Sequence, residues 1–270
     1  MLTFTKMNGA GNDFVVIDNR DLSITLSKEQ IALLCDRHRG IGADGLLAVE
    51  PAEAGADYKF RYYNADGGEA EMCGNGARCF GAYTAQLSSP AKTEVSFETI
   101  AGTLGAEIIG DNVRIAMSDP FDLAMNIPVQ TADLGDVHFV NTGVPHAVAF
   151  VEDLPALDVV SNGAAIRYHD HFAPNGTNAN FAAAVAESHI AIRTYERGVE
   201  GETLACGTGM CACALFHHIL TGAASPIKVD VAGGDTLEIG FVNDGNNNFT
   251  EVTLTGPADF VFTGQTDLVG

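Results

Sequence analysis

The chain has few cationic residues. It carries 14 Lys and Arg residues against 35 Asp and Glu residues, and its formal net charge is −21. Binding to nucleic acid or to an anionic membrane surface requires clustered Lys and Arg side chains, and the sequence contains no such cluster. Both classes of partner are therefore excluded, and the acidity is interpreted as a property of the solvated surface.

Long hydrophobic runs are also missing. No segment reaches the roughly 18 consecutive apolar residues that a membrane helix needs, and the first residues lack the charged and apolar regions of a signal peptide. The six cysteines are too sparse for a disulfide scaffold in 270 residues. We therefore expect a cytoplasmic globular protein with free thiols, and 46% apolar residues suffice for a substantial core.

Lysine is scarce as well, which bears on cofactor chemistry. None of the five lysines, at positions 6, 28, 59, 92 and 228, lies in a context typical of a cofactor-binding lysine. A site without such a group must stabilise any charge that develops on its ligand with hydrogen-bond donors and must exclude water. We expect a site with no cofactor and no metal.

Two of the cysteines stand in similar glycine-flanked turns. One turn is Met72-Cys73-Gly74-Asn75-Gly76, and the other is Ala205-Cys206-Gly207-Thr208-Gly209. Each precedes a helix-like segment, and a helix N-terminus favours both a thiolate and a bound carboxylate. We therefore predict that Cys73 and Cys206 are catalytic. The other four cysteines lie among apolar residues of predicted helices and are predicted to be small buried hydrophobes: Cys35, Cys79, Cys211 and Cys213.

The similarity extends beyond the cysteine turns and indicates an internal duplication. The turn at Gly11 precedes Cys73 by 62 residues, and the turn at Gly143 precedes Cys206 by 63 residues. Each of these turns leads into an apolar run. Two further pairs keep the register: Gly42-Ala43-Asp44 with Gly176-Thr177-Asn178, and Tyr63 with Tyr195.

Alternating polarity predicts a fold made mostly of strands, with few helices. The clearest strands are residues 14–17, 58–62, 104–108, 113–115, 147–151, 189–195 and 227–231. One helix begins at a capping box, Ser27-Lys28-Glu29-Gln30, and is predicted to end near Gly40. Two others are predicted over 77–87 and 210–220, both apolar on most sides and therefore enclosed by other elements.

These observations predict an α/β protein of the α+β type with two pseudo-symmetric domains. Each domain is expected to be a mixed, mostly antiparallel sheet curled around one central helix, with the active site in the cleft between them. The predicted domains are 1–120 and 121–255, and the tail 256–270 is expected to pack back onto the first. Pro120 and the following stretch to Pro128 are interpreted as a linker, and 243–248 as a hairpin tip.

Two other interpretations of the motifs compete with a two-thiol site. Cys213 and His217 lie four residues apart on one predicted helix with Cys206 and Cys211 nearby, so a non-catalytic zinc or redox dithiol protein is an alternative of another class. The segment Gly9-Ala10-Gly11 is similar to a dinucleotide-binding fingerprint. No strand is predicted before it and a strand follows it instead of a helix, so this interpretation is rejected.

A histidine and an acidic–basic pair complete the candidate site. In a functional interpretation, His146 and Glu196 set the pKa of the two thiols, and Arg197 holds a carboxylate with its planar guanidinium. In the ordinary interpretation, the histidine is a core residue and the pair lies at an exposed strand edge. Both interpretations stay open on the residues alone.

Taken together, these motifs resemble the diaminopimelate epimerase family over essentially the whole chain. The motifs are residues 9–14, 40–45, 63–67, 72–78, 176–178, 195–198, 202–203 and 205–209. The resemblance implies a cofactor-independent isomerase of lysine and cell-wall biosynthesis that interconverts LL- and meso-diaminopimelate. It implies Cys73 and Cys206 as the alternating acid and base, tuned by His146 and Glu196, and it leaves a homodimer open. It also implies the following substrate-binding residues: Asn12, Asn64, Gly74, Asn75, Asn178, Glu196, Arg197, Gly207 and Thr208.

The chain departs from commoner forms of the family pattern at two positions. Val144 stands where many members have Asn, and Gly45 where some have Gln, so a substrate contact is lost or made elsewhere. A racemase or epimerase of another amino acid, such as proline or hydroxyproline, is the alternative on the same fold. Those enzymes usually have His where this chain has Asn75, which favours diaminopimelate.

Overall fold

The computed structural model describes residues 1–129, 131 and 134–269. The chain forms two compact units, Met1–Ile115 with Gly256–Gly270 and Ala116–Thr255. The helices are α1 (Lys28–Cys35), α2 (Gly74–Ala85), α3 (Val159–Arg167) and α4 (Gly207–Thr221), with a 3₁₀ turn at Asp170–Phe172. None of the helices in the described part of the chain is long and apolar enough to cross a membrane.

Strands make up most of both units. In chain order they are β1 (Leu2–Gly9), β2 (Asn12–Asp18), β3 (Gly45–Glu50), β4 (Tyr58–Asn64), β5 (Glu69–Ala70), β6 (Glu94–Thr99), β7 (Gly102–Ile109), β8 (Asn112–Ala116), β9 (Phe121–Ile127), β10 (Val137–Asn141), β11 (Pro145–Phe150), β12 (Asn178–Ala186), β13 (His189–Glu196), β14 (Gly201–Thr203), β15 (Ile227–Asp230), β16 (Thr236–Asn243), β17 (Phe249–Pro257) and β18 (Asp259–Thr266).

The first unit is a mixed sheet in the order β18-β1-β2-β3-β4-β6-β7-β8, with the short β5 also paired to β4. The pairs β2–β3 and β4–β6 are parallel, and the other pairs are antiparallel. Helix α2 contacts β1, β2, β3, β4, β6 and β7, so the sheet curls around it. Helix α1 packs against the sheet through a separate apolar cluster. Ile31 and Leu34 of the helix belong to this cluster, together with Val15 and Leu46 of the strands.

The second unit repeats this arrangement strand for strand. Its order is β9-β10-β11-β12-β13-β15-β16-β17, again with a short strand, β14, beside the fifth. The parallel pairs are β11–β12 and β13–β15, at the same places as in the first unit. Helix α4 contacts β10, β11, β12, β13, β15 and β16, the equivalents of the strands around α2. The predicted internal duplication and the α+β class are confirmed.

Strand alternation decides which residues of the second unit face which helix, because successive side chains point to opposite faces of a sheet. Ala147, Ala179 and Phe181 belong to the apolar cluster with α3. His146 and Asn180 occupy the alternate positions, and the space for a Cβ at Gly209 of α4 is taken by the Asn180 amide. The polar residues of β11 and β12 are therefore turned to the cysteine-capped helix.

Several predicted elements are confirmed. Helix α1 has the capping box, with the Ser27 hydroxyl accepting from the Gln30 amide and the Gln30 side chain accepting from the Ser27 amide. The segment 243–248 connects the antiparallel strands β16 and β17, as expected for a hairpin tip. The strand predictions correspond to β2, β4, β7, β8, β11, β13 and β15.

Other predictions are wrong. The stretch interpreted as a linker contains β9, which pairs with β10; Pro120 stands just before the strand, where its missing N–H interrupts no ladder. A strand, β1, does precede Gly9-Ala10-Gly11, and its almost continuous burial hides the alternation that would reveal it. Helix α3 was not predicted. Helix α1 ends at Cys35, before the predicted end near Gly40, and α2 and α4 begin three residues earlier than predicted.

Candidate active site

Cys73 and Cys206 occupy equivalent places in the two units. Each is the N-cap residue of a helix, α2 or α4, with an extended backbone, and neither side chain makes a capping hydrogen bond. Cys73 is half-buried and Cys206 is buried. The first N–H groups of a helix have no partner within the helix and carry a partial positive charge, so each sulfur lies beside a set of anion-binding donors.

In the first unit, the Cys73 thiol donates to an amide oxygen. The distance from Cys73 Sγ to Asn12 Oδ1 is 3.5 Å. The other end of this amide donates from Nδ2 to Asp44 Oδ2 at 2.7 Å, and the opposite oxygen of Asp44 accepts from Arg37 Nη2 at 2.8 Å. Because a carboxylate only accepts, Asp44 holds the Asn12 amide with its oxygen toward the thiol.

The same network continues to Asp13. Its carboxylate accepts two bonds from the Arg37 guanidinium and forms a 2.7 Å ion pair with the buried Lys6. Burial raises the pKa of Asp13, but the hydrogen bonds from Arg37 and Lys6 outweigh that effect and hold the pKa well below its ordinary value. Asp13 is therefore charged at neutral pH and anchors the start of β2 to the loop before β3.

Two asparagines that were predicted to bind substrate lie on neighbouring elements of the first unit. Asn75 is in the first turn of α2 and is buried, and its Oδ1 has no hydrogen-bond partner within residues 1–129, 131 and 134–269. Asn64 is exposed at the end of β4, and its Oδ1 accepts from the Tyr62 hydroxyl at 2.7 Å. With its oxygen accepting from Tyr62, the Asn64 amide has its NH₂ group left as a donor.

Gly45 provides the room for Tyr62. A Cβ atom at position 45 would lie 2.7 Å from a ring carbon of Tyr62 and 2.6 Å from the Tyr63 carbonyl oxygen. Both distances are too short for real atoms, so this backbone accepts only glycine at position 45 without moving. Gly45, one of the two positions that depart from the commoner motif, thus leaves room for the tyrosine whose hydroxyl bonds to Asn64.

In the second unit, Cys206 lies beside Thr208. The distance from Cys206 Sγ to Thr208 Oγ1 is 3.6 Å, and the same hydroxyl lies 2.8 Å from His146 Nε2. The Thr142 hydroxyl donates to the Thr208 carbonyl oxygen at 2.8 Å. His146 and Thr208, predicted as site residues from separate motifs, are therefore in direct contact.

His146 is enclosed completely. Its Nδ1 lies 2.9 Å from Nδ2 of Asn180. Burial lowers the pKa of His146 to about 3, and the positive charge of Arg197 acts in the same direction. The imidazole is therefore neutral at neutral pH. It is a buried histidine with a hydrogen-bond partner at each ring nitrogen, as in the core interpretation, and the effect of His146 on a thiol stays a prediction.

Asn178, Glu196 and Arg197 form a second group in this unit. Asn178 Oδ1 accepts from the Arg197 backbone N–H at 2.7 Å, and its Nδ2 donates to the Pro145 carbonyl oxygen at 3.2 Å. Arg197 Nη1 donates to the Asn175 carbonyl oxygen at 3.3 Å. Burial raises the pKa of Glu196, and the nearby Thr203 side chain works against that rise.

The remaining cysteines are buried, as predicted. Desolvation raises the pKa of Cys35 to about 11 and that of Cys79 and Cys211 to about 12, and it also raises that of Cys213. His217, the histidine of the zinc interpretation, has its Nε2 2.8 Å from the Glu187 carbonyl oxygen. Within the described residues, no group of three or more His, Cys, Asp or Glu side chains could hold a metal ion.

The sequence did not single out three residues that hold the site residues in place: Asp44, Tyr62 and Asn180. Asp44 was noted as a landmark of the duplication and as part of the motif 40–45, but no role was predicted for it. Asn180 could have been suspected from its polarity in an apolar strand, Asn178-Ala179-Asn180-Phe181. Nothing in the sequence points to the hydroxyl of Tyr62.

Comparison with known proteins identifies relatives along almost the whole chain. The model of the family described as "Diaminopimelate epimerase" matches residues 4–121 and 138–261. The diaminopimelate epimerase of Chlorobaculum tepidum is 44% identical over 266 residues, which cover 97% of this chain and 100% of that protein.

Solved structures show the same fold at low sequence identity. A phenazine biosynthesis protein of the PhzF family from Bacillus anthracis is 17% identical, with a TM-score of 0.73 and coverage of 98% of this chain and 99% of that one. A probable proline racemase from Agrobacterium radiobacter is 18% identical, with a TM-score of 0.70 and coverage of 99% and 93%. At these identities the likeness concerns the fold alone.

Proposed function

Because the chain belongs to the diaminopimelate epimerase family, we propose that it interconverts LL- and meso-diaminopimelate with Cys73 and Cys206 as the two proton-transferring groups. The observation that supports this most directly is the equivalence of the two cysteines. Each caps the central helix of one of two units with the same strand order. A reaction that removes a proton from one face of a carbon and returns one to the other face needs two such groups.

The proposed reaction removes one proton from the α-carbon and delivers another to the opposite face of that carbon. One cysteine, as the thiolate, takes the α-hydrogen as a proton and becomes a thiol. The other, as the thiol, donates its proton to the opposite face of the same carbon and becomes a thiolate. The carbon changes configuration and the total number of protons is unchanged. Exchange of the sulfur protons with solvent then restores the starting state.

The helix N-termini would stabilise the charge that develops on the substrate carboxylate. The N–H groups at Gly74 and Asn75 begin α2, and those at Gly207 and Thr208 begin α4. Such preorganised donors commonly supply the largest share of stabilisation of an anionic intermediate. This role requires the glycines, since the ligand must approach the backbone closely.

The other polar groups would hold the ends of the substrate. We assign Asn12, Asn64 and Asn178 as hydrogen-bonding partners, Glu196 as the partner of an ammonium group and Arg197 as the partner of a carboxylate. Asn64 is suited to donate a hydrogen bond to a substrate oxygen, because its own oxygen already accepts from the Tyr62 hydroxyl. The small-molecule substrate and the biosynthetic role of the family favour a cytoplasmic location.

Solvent exchange tests the proposal. We expect deuterium from D₂O to enter the α-position of LL-diaminopimelate in the wild-type protein. Cys73→Ala and Cys206→Ala should each lose epimerisation, whereas Cys211→Ala, which changes a buried cysteine of the same helix as Cys206, should retain it. Full epimerase activity in both single variants would refute the two-thiol mechanism.

The same assay distinguishes the substrate. L-Proline and 4-hydroxyproline are incubated in parallel with LL-diaminopimelate. We expect exchange only with diaminopimelate, because Asn75 and the Glu196–Arg197 pair favour a ligand with two amino-acid ends. Exchange with proline and none with diaminopimelate would keep the chemistry and overturn the substrate.

A further inference from the structure

The amide of Asn180 is fully buried and is held at both ends by groups other than His146. Its Nδ2 donates to the Ala147 carbonyl oxygen at 3.0 Å, and its Oδ1 accepts from the Thr194 hydroxyl at 3.0 Å. A backbone carbonyl oxygen can only accept, so the nitrogen of the amide must be the end that faces Ala147. The orientation of Asn180 is therefore determined independently of the histidine.

This orientation decides which nitrogen of His146 carries hydrogen. Nδ2 of Asn180 also lies 2.9 Å from His146 Nδ1. Since an amide NH₂ group only donates, Nδ1 must be the acceptor and carries no hydrogen. In a neutral imidazole the hydrogen then resides on Nε2.

The donor direction continues from His146 to the sulfur. Nε2–H of His146 donates to Thr208 Oγ1, 2.8 Å away. The hydroxyl therefore accepts from the imidazole, and its own single hydrogen is available for Cys206 Sγ at 3.6 Å. Each group in the series Asn180, His146, Thr208 thus donates to the next, and the series ends at a cysteine.

We propose that Asn180 is a positioning residue that fixes His146 as the Nε2–H tautomer and thereby turns the Thr208 hydroxyl toward Cys206 as a donor. The catalytic meaning of this arrangement rests on the proposed function. A donated hydrogen bond stabilises a thiolate, whereas an acceptor stabilises a thiol. Cys73 faces an acceptor, Asn12 Oδ1. We therefore expect the donor at Cys206 to favour the thiolate there, and the acceptor at Cys73 to favour the thiol.

The tautomer can be measured in the wild-type protein without substrate. The chain has eight histidines, so the protein is labelled with ¹⁵N-histidine and the His146 signals are assigned by their loss in His146→Gln. We expect hydrogen on Nε2 and a bare Nδ1 at neutral pH. Hydrogen on Nδ1 would overturn the proposal.

The role of Asn180 is tested by Asn180→Asp, which has nearly the same shape but offers an acceptor to His146. We expect Nδ1 to gain a hydrogen in this variant. The control is Asn162→Asp, at another buried asparagine of the same unit, whose Nδ2 donates to the Asp158 carbonyl oxygen. It should leave the His146 spectrum unchanged. An Asn180→Asp protein that keeps a bare Nδ1 would show that Asn180 does not set the tautomer.

The effect on the sulfur is tested by Thr208→Val, which removes the hydroxyl and leaves the tautomer in place. We expect alkylation of Cys206 by iodoacetamide, followed by peptide mass spectrometry at neutral pH, to slow by about tenfold to a hundredfold, the effect of one hydrogen bond to a charged group. Thr221→Val makes the same change in the same helix, where the hydroxyl donates to the His217 carbonyl oxygen, and should leave the rate unchanged.

The outcomes separate this proposal from the proposed function. An unchanged Cys206 alkylation rate in Thr208→Val would refute the donor role of Thr208, whatever the epimerase activity. If the spectra and alkylation rates are as expected but the wild-type protein exchanges no α-hydrogen of diaminopimelate, then the epimerase function fails and the hydrogen-bond series stands.

Discussion

Single residues outside the predicted site determine how the site residues are presented. Tyr62 is the example in the first unit: its hydroxyl holds Asn64 Oδ1, and the absence of a side chain at Gly45 leaves space for its ring. Asp44 acts in the same way on Asn12. An amide can bind through either end, so a residue that fixes the amide decides whether the substrate meets a donor or an acceptor.

Removing the Tyr62 hydroxyl should therefore weaken substrate binding. In Tyr62→Phe the Asn64 amide is free to rotate, and we expect KM for diaminopimelate to rise about fivefold to tenfold, the effect of one hydrogen bond, with kcat little changed. Tyr58→Phe, a buried tyrosine of the same strand, is the control and should keep both constants. A fall in kcat with KM unchanged would place Tyr62 in the chemical step instead.

Gly45 should be needed for stability as well. Gly45→Ala places a Cβ against the Tyr63 backbone, which cannot move aside cheaply, so we expect unfolding free energy to fall by about 1–3 kcal/mol. Gly105→Ala is the matched control, since a Cβ at this other strand glycine meets no atom within 4 Å. Equal stability of the two variants in urea titrations would contradict the close contact seen at Gly45.

At the scale of elements, the two central helices are equivalent in position but differ in what their glycines touch. A Cβ at Gly76 of α2 would lie 3.3 Å from a methyl carbon of Leu47. A Cβ at the equivalent Gly209 of α4 would lie 2.4 Å from Asn180 Oδ1. The same substitution therefore meets an apolar side chain in one unit and the fixed amide in the other.

We expect this difference to appear in activity. Replacing a helical glycine by alanine favours the helix by up to about 1 kcal/mol, so Gly76→Ala should retain most of its activity. Gly209→Ala should displace Asn180, disturb His146 and lower kcat at least about tenfold, the effect of one lost hydrogen bond in the series. Steady-state kinetics of the two variants, with circular dichroism as a check on folding, decide the matter; equal activity would contradict the placement of Asn180.

At the scale of the whole molecule, acid should destabilise the two units over different pH ranges. The pKa of His146 is about 3 in the folded protein, against an ordinary 6.5. In the unfolded chain this histidine therefore takes up a proton at a higher pH than in the folded protein. The folding stability of the second unit then falls as the pH drops from about 6.5 toward 3. Asp13 has a lowered pKa, so its contribution is present above its ordinary value of 3.8 and is lost only below that pH.

Hydrogen exchange followed by mass spectrometry measures the pH dependence of stability for each unit separately. Between pH 6.5 and 4, after correction for the intrinsic exchange rate, we expect protection to decrease in the peptides of the second unit while those of the first unit change little. His146→Gln should remove most of this loss. A simultaneous loss of protection in both units would argue against the assignment to His146.

The large net charge leads to a separate expectation for the whole chain. With a formal charge of −21, repulsion among acidic side chains opposes the compact state. The Debye length falls from about 30 Å at 0.01 M salt to about 8 Å at 0.15 M, so we expect Tm to rise over this range. KCl in place of NaCl should give the same rise, because screening does not depend on the identity of the cation. A constant Tm would show that the acidic groups are already well separated.

Local patterns predicted the parts of the fold that depend on neighbours in the chain. The capping box at Ser27 and Gln30 predicted the start of α1, and the repeated glycine turns predicted the positions of Cys73 and Cys206. Helix α3 escaped prediction because it contains Asn162 and Gly163, which disfavour a helix. Gly163 is required there because Tyr195 fills the space of a Cβ, and that contact is between residues distant in sequence.

The hydrogen-bond partners in the site were beyond local patterns for the same reason. Asp44 is 32 residues from Asn12, and Asn180 is 34 residues from His146. Each pair comes together only because two neighbouring strands and their loops are in register. The residue types of the site could be predicted from the sequence, whereas the direction of each hydrogen bond required the structure.

The pairing of the last strand with the first has a consequence for synthesis. β18 completes the first unit by pairing with β1, with Leu2 opposite Thr266. A ribosome makes the chain from its N-terminus, so the second unit has all of its strands before the first unit receives its last one. The unit that contains β1 is thus completed after the second unit, although its first strands are made earlier. Joining β18 directly to β1 and opening the chain inside the second unit would reverse that order.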